Sequence, residues 1–359
     1  MSDIFKQDIE TVVNADFIPW EKLNNKTIFI TGATGLIGYT LVNALVKAGT
    51  EKGLNMNLIL LVRDRKKAEE RFKNVLDSDG KHIVFIEDSV ERIDPGKLDS
   101  HQIDFIIHGA SNTSSKGFVT NPVETIDTAL IGTRNVLEIA KEHKVDGFIY
   151  LSSMEVYGYP EKGHKVTEDE IGDLTPLDVR NSYPISKVIC ESMCVAFAKE
   201  YGVPAKIIRL TQTFGPGVNY TDNRIFAYFL RCMNEKRDIV LKTKGDTERS
   251  YLYTTDAVTA ILTVLLKGEN GKAYNAANED TYCSIAKMAE DVAKEEGIEV
   301  LYDIQDEVVN GYPQTIYMDL DTSKLKGIGL EARWGALTRM FNRTIEWIRE
   351  ENETELQGE

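Results

Sequence analysis

The stretch that most constrains this chain runs from Lys26 to Gly38: Lys-Thr-Ile-Phe-Ile-Thr-Gly-Ala-Thr-Gly-Leu-Ile-Gly. Lys26 to Thr31 carries the β-branched and aromatic residues of a short buried strand. Gly32, Gly35 and Gly38 follow at three-residue spacing, and Leu41, Val42, Leu45 and Val46 then recur at the helical period. Strand, glycine turn and helix in that order bring unpaired backbone N–H groups and a positive helix end to one point, where a dinucleotide pyrophosphate can sit. Gly32 permits the tight turn, Gly35 lets the backbone approach a phosphate, and Gly38 lets the helix close onto the strand. Thr34, Leu36 and Ile37, which intervene, are the further residues expected to touch the dinucleotide. The spacing is GxxGxxG rather than the commoner GxGxxG, so the reading depends on what the rest of the chain supplies.

More strands follow. Leu58 to Val62 is a continuous apolar run, fit for a strand buried on both faces, and it ends at Arg63-Asp64. A strand end here faces the adenosine ribose, where an acidic residue favours NAD and an Arg accommodates the 2′-phosphate of NADP. Arg63 comes first and Asp64 second, so this strand end does not choose between them; NAD is the expected cofactor, with NADP kept open by Arg63. Ile83 to Ile86 is a third strand, closed by Glu87-Asp88-Ser89. Ile103 to Ile107 is a fourth and leads into His108-Gly109-Ala110-Ser111, where the small Ala110 and Ser111 leave room for a cofactor and His108 is expected to be structural. Pro122 to His143 has the apolar stripe of a long helix. Phe148 to Leu151 is a fifth strand delivering Ser152, Ser153, Met154 and Glu155 to the same sheet edge. A helix opens near Tyr183, and Ala205 to Leu210 is a sixth strand, ending in Thr211 to Gly217. Such alternation predicts a doubly wound parallel sheet with ligands beyond the strand C-termini.

Residues 25–215 are therefore read as an NAD(P)-binding domain, rejoined by a returning strand near 272–277. Residues 216–359 form mainly a smaller α/β substrate-binding domain, interleaved with the first. Residues 1–24 are an N-terminal extension whose Ile4, Phe5, Ile9, Val12 and Val13 suggest a short amphipathic helix. The chain has 359 residues and a formal net charge of −15, which argues against nucleic acid or an anionic membrane as partner. No apolar run approaches a membrane span, and the first twenty residues lack the apolar core of a signal peptide, so a cytoplasmic location is expected. Of the four cysteines, Cys190 and Cys194 are four apart on a predicted helix. No second metal-ligating pair accompanies them, so reduced thiols and no metal are expected.

Tyr183 and Lys187, four positions apart, share one helix face. A phenol with a pKa of about 10 is too weak a base at neutral pH, but a nearby ammonium and a nicotinamide cation both favour the phenolate. With a Ser153 hydroxyl to hold the substrate oxygen, Ser153, Tyr183 and Lys187 make a plausible site for taking the proton from an alcohol as its hydride leaves.

On these residues the sequence resembles the extended short-chain dehydrogenase/reductase family, the nucleotide-sugar epimerases, dehydratases and decarboxylases. The likeness covers about residues 25–350. It rests on Thr31 to Gly38, Asp88, His108 to Ser111, Asn121-Pro122, Gly132-Thr133, Ser152 to Gly158, Tyr183 to Lys187, Phe214 to Gly217, and Arg249 with Asp256. The resemblance implies a Rossmann-type fold and a tightly held NAD(P) that is reduced and reoxidised within one turnover. It implies a nucleoside-diphosphate sugar bound between two domains, met by Ser153, Gln212, Arg224 and Arg249, with Arg249 on the diphosphate. Asp88 and Ser89 would lie near adenine, Lys187 would hold the nicotinamide ribose, and helices 122–143 and 183–201 would form a homodimer. Three positions depart from the family's usual residues: Ala129 and Gln212 stand where Asn is common, and Arg63 where Asp is. Family dehydratases carry Asp-Glu where this chain has Met154-Glu155, and uronate decarboxylases carry Ser-Glu. Met154 cannot protonate a leaving hydroxyl, which lowers the dehydratase reading. Glu155 is a candidate second acid/base or sugar ligand. The expected activity is epimerisation through a 4-keto sugar, with decarboxylation about equally placed, then dehydration or NADPH-dependent reduction. From another class, a non-catalytic NAD(P)H-sensing protein is the rival.

Overall fold

The computed structural model describes residues 1–79, 82–113, 115–305, 314–330 and 332–357. In chain order its strands are β1 (Lys26–Thr31), β2 (Met56–Val62), β3 (Ile83–Glu87), β4 (Phe105–His108), β5 (Gly147–Ser153), β6 (Lys165–Val166) and β7 (Ala205–Leu210). They continue with β8 (Gln212–Phe214), β9 (Ile239–Leu241), β10 (Glu248–Tyr253), β11 (Ala273–Ala276), β12 (Asn278–Ser284), β13 (Val300–Tyr302) and β14 (Tyr317–Leu320). Among the described residues, seven strands form a central sheet in the order β11-β7-β5-β4-β1-β2-β3, all parallel. The chain builds outward from β1 to β3, then returns to β4 and builds the other way. The strand order therefore reverses between β1 and β4, which is where such sheets open a ligand crevice.

Helices cover both faces. On one, Leu36–Lys52, Thr254–Lys267 and the N-terminal Asp3–Val13 share an apolar core with the sheet, including Phe5, Ile9, Val12, Leu41, Leu45, Ile261 and Leu265. On the other, Pro122–His143 and Ser182–Tyr201 pack over Phe29, Ile106, Phe148 and Ile207. This is a Rossmann-like α/β fold.

The N-terminal helix is stitched in as well as packed. Phe5 stacks on Tyr39, with ring centroids 5.2 Å apart. The buried Asp8 carboxylate accepts from Tyr253 Oη at 2.7 Å and from Arg343 Nε at 3.1 Å. The second half of the chain builds a sheet in the order β12-β10-β14-β6, with β8 also on β10. β8 begins two residues after β7 ends, so a single stretch crosses from the central sheet to this one. Within the stretch Thr211 to Gly217 that follows the sixth strand, residues Gln212–Phe214 form β8. Its three residues pair in parallel with Tyr251 to Tyr253 of β10, a partner forty residues away that local pattern does not reveal.

The helix Thr254–Lys267 has no counterpart in the sequence reading. Every residue from Thr254 to Leu266 is buried. Its polar Thr255, Asp256, Thr259 and Thr263 are buried with its apolar residues, which only the packed chain shows. No helix among the described residues is long and apolar enough to cross a membrane.

Candidate active site

The glycine turn has the geometry that its residue types imply. Gly32 has φ +75°, and a Cβ there would lie 2.7 Å from the Gly109 carbonyl and 2.8 Å from the Ala110 nitrogen. The turn after β1 is thus pressed against the end of β4, and only glycine fits. A Cβ on Gly38 would lie 2.3 Å from the Gly32 oxygen, so helix Leu36–Lys52 starts hard against the turn. Gly35 is the N-cap of that helix and no side chain caps it. Thr34 and Gly35 are exposed, and Leu36 and Ile37 half-buried. The open first turn and its aligned dipole present N–H donors to an anion. These residues fit the pyrophosphate of a dinucleotide.

The neighbouring strand ends frame the same crevice. Ala110 N donates to Thr31 Oγ1 at 3.1 Å, and Ser111 is half-buried beside it. His108 lies beneath: Nδ1 is 2.7 Å from Thr31 Oγ1 and Nε2 is 3.1 Å from Thr133 Oγ1. Burial holds its ring neutral, with a pKa lowered to about 3. With both nitrogens bonded, it ties the turn to helix Pro122–His143. Asp88 accepts from the Ser89 N–H at 2.8 Å and pairs with Lys97 at 2.7 Å. Arg63 is exposed at the end of β2. Asp64 caps the next helix, accepting from Lys67 N at 3.0 Å.

β5 ends in Ser153, three strands along from β2 and on the same edge. Helix Ser182–Tyr201 carries Tyr183 and Lys187 across that end. The Tyr183 ring stacks on Phe118 at 4.3 Å and 5°. Lys187 is 3 % exposed, donates from Nζ to the Leu151 carbonyl at 2.6 Å, and lies 5.6 Å from the Tyr183 ring centre. Burial pulls its ammonium down to about 8. Without the nicotinamide charge, burial drives the Tyr183 phenol above its ordinary value and the Glu155 carboxylate adds to the rise. A hydrogen bond from Ser153 and the charges of Arg224 and Arg180 oppose that shift without overcoming it. The phenol is therefore protonated here, and a further positive charge at the site is required to make it a base.

Glu155 follows Ser153 in a single 3-10 turn, and its N–H donates to Ser153 Oγ at 3.2 Å. Its carboxylate accepts from Arg180 Nη1 at 3.3 Å, and the Arg180 guanidinium lies 5.0 Å from the Phe118 ring centre. Arg180 and Phe118 escaped the sequence reading. The signal for Arg180 was its place three residues before Tyr183; Phe118 had none. Met154 points elsewhere. It is buried in an apolar cluster with Val156, Val166, Met318 and Leu320, and its sulfur accepts from Thr211 Oγ1 at 3.1 Å.

Gln212 on β8 and Arg249 on β10 each carry a buried polar atom, Oε1 and Nε, with no hydrogen-bond partner among the described residues. Such orphaned atoms cost free energy unless a ligand satisfies them. Arg224 is held by Asp222 through two contacts, Nε–Oδ1 at 3.0 Å and Nη2–Oδ2 at 2.6 Å, while its charge still reaches Tyr183. This edge of the sheet thus gathers a glycine cradle, a Ser–Tyr–Lys group and a Glu–Arg pair, with the charge of Arg224 reaching Tyr183. It can bind a dinucleotide beside a polyanionic second ligand and move a proton at the Tyr183 oxygen.

Comparison with known proteins follows this geometry. The chain is 28% identical over 334 residues to UDP-glucuronic acid decarboxylase 1 of Xenopus tropicalis, covering 92% of this chain and 74% of that one. It is similar in structure to the UDP-glucose 4-epimerase of Thermotoga maritima determined with UDP-glucose, at TM-score 0.75 and 23% identity over 90% of this chain and 99% of that one. It is likewise similar to the dTDP-glucose 4,6-dehydratase of Bacillus anthracis in complex with NAD, at TM-score 0.75 and 20% identity over 91% and 98% of the two chains. The family model described as "NAD dependent epimerase/dehydratase family" matches residues 28–277, and the chain belongs to that family of nucleotide-sugar epimerases, decarboxylases and dehydratases.

Proposed function

We propose that this protein is a nucleotide-sugar epimerase acting through a transient 4-keto sugar, with a nicotinamide dinucleotide on the glycine turn. The observation that carries the reading is the convergence of Ser153, Tyr183 and Lys187 at the sheet edge that carries the glycine turn. When bound, the nicotinamide supplies the hydride acceptor and the positive charge that the phenol lacks. Tyr183 then takes the C4 hydroxyl proton and returns it after the sugar has turned. Ser153 holds the C4 oxygen, and Lys187, anchored on Leu151, orients the nicotinamide ribose. Arg249 and Gln212 bind the sugar nucleotide's diphosphate side, and Arg224 adds positive charge. Asp88 and Ser89 border the adenine. NAD is the proposed resident cofactor, and exposed Arg63 allows the 2′-phosphate of NADP.

A second reading, loss of CO2 from a uronic acid, is favoured by the Xenopus relative and by the Glu155–Arg180 pair. Glu155 can exchange a proton at the sugar while Arg180 meets a carboxylate. Dehydration is disfavoured because Met154, in the apolar cluster, offers no acid. The experiment is incubation with a panel of UDP-, dTDP-, CDP- and GDP-sugars without added cofactor. Epimer formation is expected. CO2 release would replace the epimerase reading with the decarboxylase one, a stable keto product would make it a dehydratase, and turnover only with added NADPH would make it a reductase. Analysis of the dinucleotide freed by denaturation distinguishes NAD from NADP.

The homodimer proposed here joins helices Pro122–His143 and Ser182–Tyr201 of two copies. Val123, Ile131, Ile189 and Val195 on these helices are large apolar side chains left exposed in the single chain, as expected of a face awaiting a partner. Light scattering should give twice the monomer mass of 40.4 kDa, and a monomer at micromolar concentration would refute the assignment.

A further inference from the structure

A second cavity, of about 400 Å3, lies at the opposite edge of the central sheet, where β4 and β7 begin. That volume falls within the range of small-molecule sites. Its lining includes Phe105, Asp146, Lys206 and Leu265, with Lys22 and Lys267 at the mouth. Lys206 is 5 % exposed, whereas Lys22 and Lys267 are exposed.

The charge here is unbalanced. Lys206 Nζ donates to the Pro204 carbonyl at 3.1 Å, Lys22 Nζ to Leu266 at 2.9 Å and Lys267 Nζ to Phe17 at 3.3 Å. Carbonyls orient an ammonium but carry no net charge. The C-terminal end of helix Thr254–Lys267 contributes only about half a negative charge. Asp146, the carboxylate in the lining, shares Lys26 with Asp104, at 2.8 and 3.1 Å, so this trio leaves one negative charge against three ammoniums. Among the described residues, none of the three lysines is paired with a carboxylate. A buried, unpaired ammonium is costly, and in a chain of net charge −15 acidic partners are abundant elsewhere. Burial, and secondarily the like charge of Lys22, pull Lys206 down to about 8.

We propose that this cavity binds a small phosphate-class anion, with Lys206 at its floor and Lys22 and Lys267 closing over it. Lysine ammoniums suit phosphate as compact point charges. The anion would neutralise the lysine cluster and restore Lys206 toward its ordinary value. The site stands at the far edge of the sheet from Ser153, Tyr183 and Lys187, so it is independent of the proposed catalytic reading.

The test follows the lysine side-chain resonances of the 13C-lysine-labelled full chain by NMR. Inorganic phosphate and glucose 1-phosphate are titrated separately at ionic strength matched with sodium chloride. A saturable shift at Lys206, with its titration moved to higher pH, is expected. Saturation by phosphate alone identifies the free anion, and tighter saturation by the sugar phosphate identifies an ester; either supports the site. Lys206→Met should abolish the saturable response, and Lys22→Gln with Lys267→Gln should weaken it several-fold. A non-saturating response, or the same affinity in the variants, overturns the proposal. Should Lys206→Met fail to fold, the two exposed positions decide the matter alone. Turnover should be unchanged in the Lys22→Gln, Lys267→Gln protein.

Discussion

Tyr183→Phe is expected to lower turnover of the protein's nucleotide sugar by about 10²–10⁴-fold, the range of a positioned general base, while substrate affinity changes little. The substitution removes only the hydroxyl. The ring keeps its stack on Phe118 at 4.3 Å, and Lys187 keeps its bond to Leu151, so the folded state should survive. The phenol is held above its ordinary pKa chiefly by burial. The wild-type rate should therefore rise with pH as the phenolate is formed, and that rise should vanish in the variant. Steady-state kinetics with the best substrate of the sugar panel measures this, alongside the near-ultraviolet absorbance of reduced nicotinamide on mixing. Turnover within a few-fold of wild type would refute the catalytic role of Tyr183, whereas no turnover of any sugar by the wild-type protein would favour the rival reading of a non-catalytic NAD(P)H sensor.

The second large effect is on stability. Glu191→Gln should cost about 3–5 kcal/mol, because it leaves a buried guanidinium without its counter-ion. Arg209 on β7 meets Glu191 through Nε at 3.0 Å and Nη2 at 2.7 Å, and its Nη1 donates to Tyr157 Oη at 2.7 Å and to the Glu168 carbonyl at 2.9 Å. Ser152 Oγ donates to the same Glu191 at 2.5 Å. Both members of the ion pair are almost wholly buried. The network locks together β5, β7 and helix Ser182–Tyr201, the elements that hold Ser153, Tyr183 and Lys187. Urea unfolding measures the loss. The double variant Glu191→Gln, Arg209→Met should recover much of it, since the unpaired charge is then gone. An unfolding midpoint unchanged in the single variant would show that the pair contributes nothing net.

Much of the fold was legible because its signals are local. A glycine turn with one residue in the left-handed region, an apolar run buried on both faces, and a striped helix are each properties of a few consecutive residues. Lys26–Thr31, Pro122–His143 and Ala205–Leu210 were placed to the residue for that reason. What escaped is non-local. The helix Thr254–Lys267 is buried all round, its threonines included, and that burial belongs to the packed chain. β8 exists only because β10 lies beside it. Arg180 meets Glu155 only after a twenty-five-residue excursion returns to the end of β5.

The sequence by itself determined the doubly wound sheet, the glycine cradle and the Ser–Tyr–Lys group, because spacing along a strand–turn–helix dictates which atoms share an edge. Tertiary structure alone decided the electrostatics. Whether Tyr183 is a base or a protonated phenol depends on its burial and on the opposed charges of Glu155, Arg180 and Arg224. Whether Met154 could act as an acid was excluded by its residue type, but that it fills an apolar cluster was not. The orphaned atoms of Gln212 and Arg249, and the uncompensated lysines around Lys206, arise only when distant segments close around a space, since burial and the absence of a partner are properties of the packed chain and not of any residue within it.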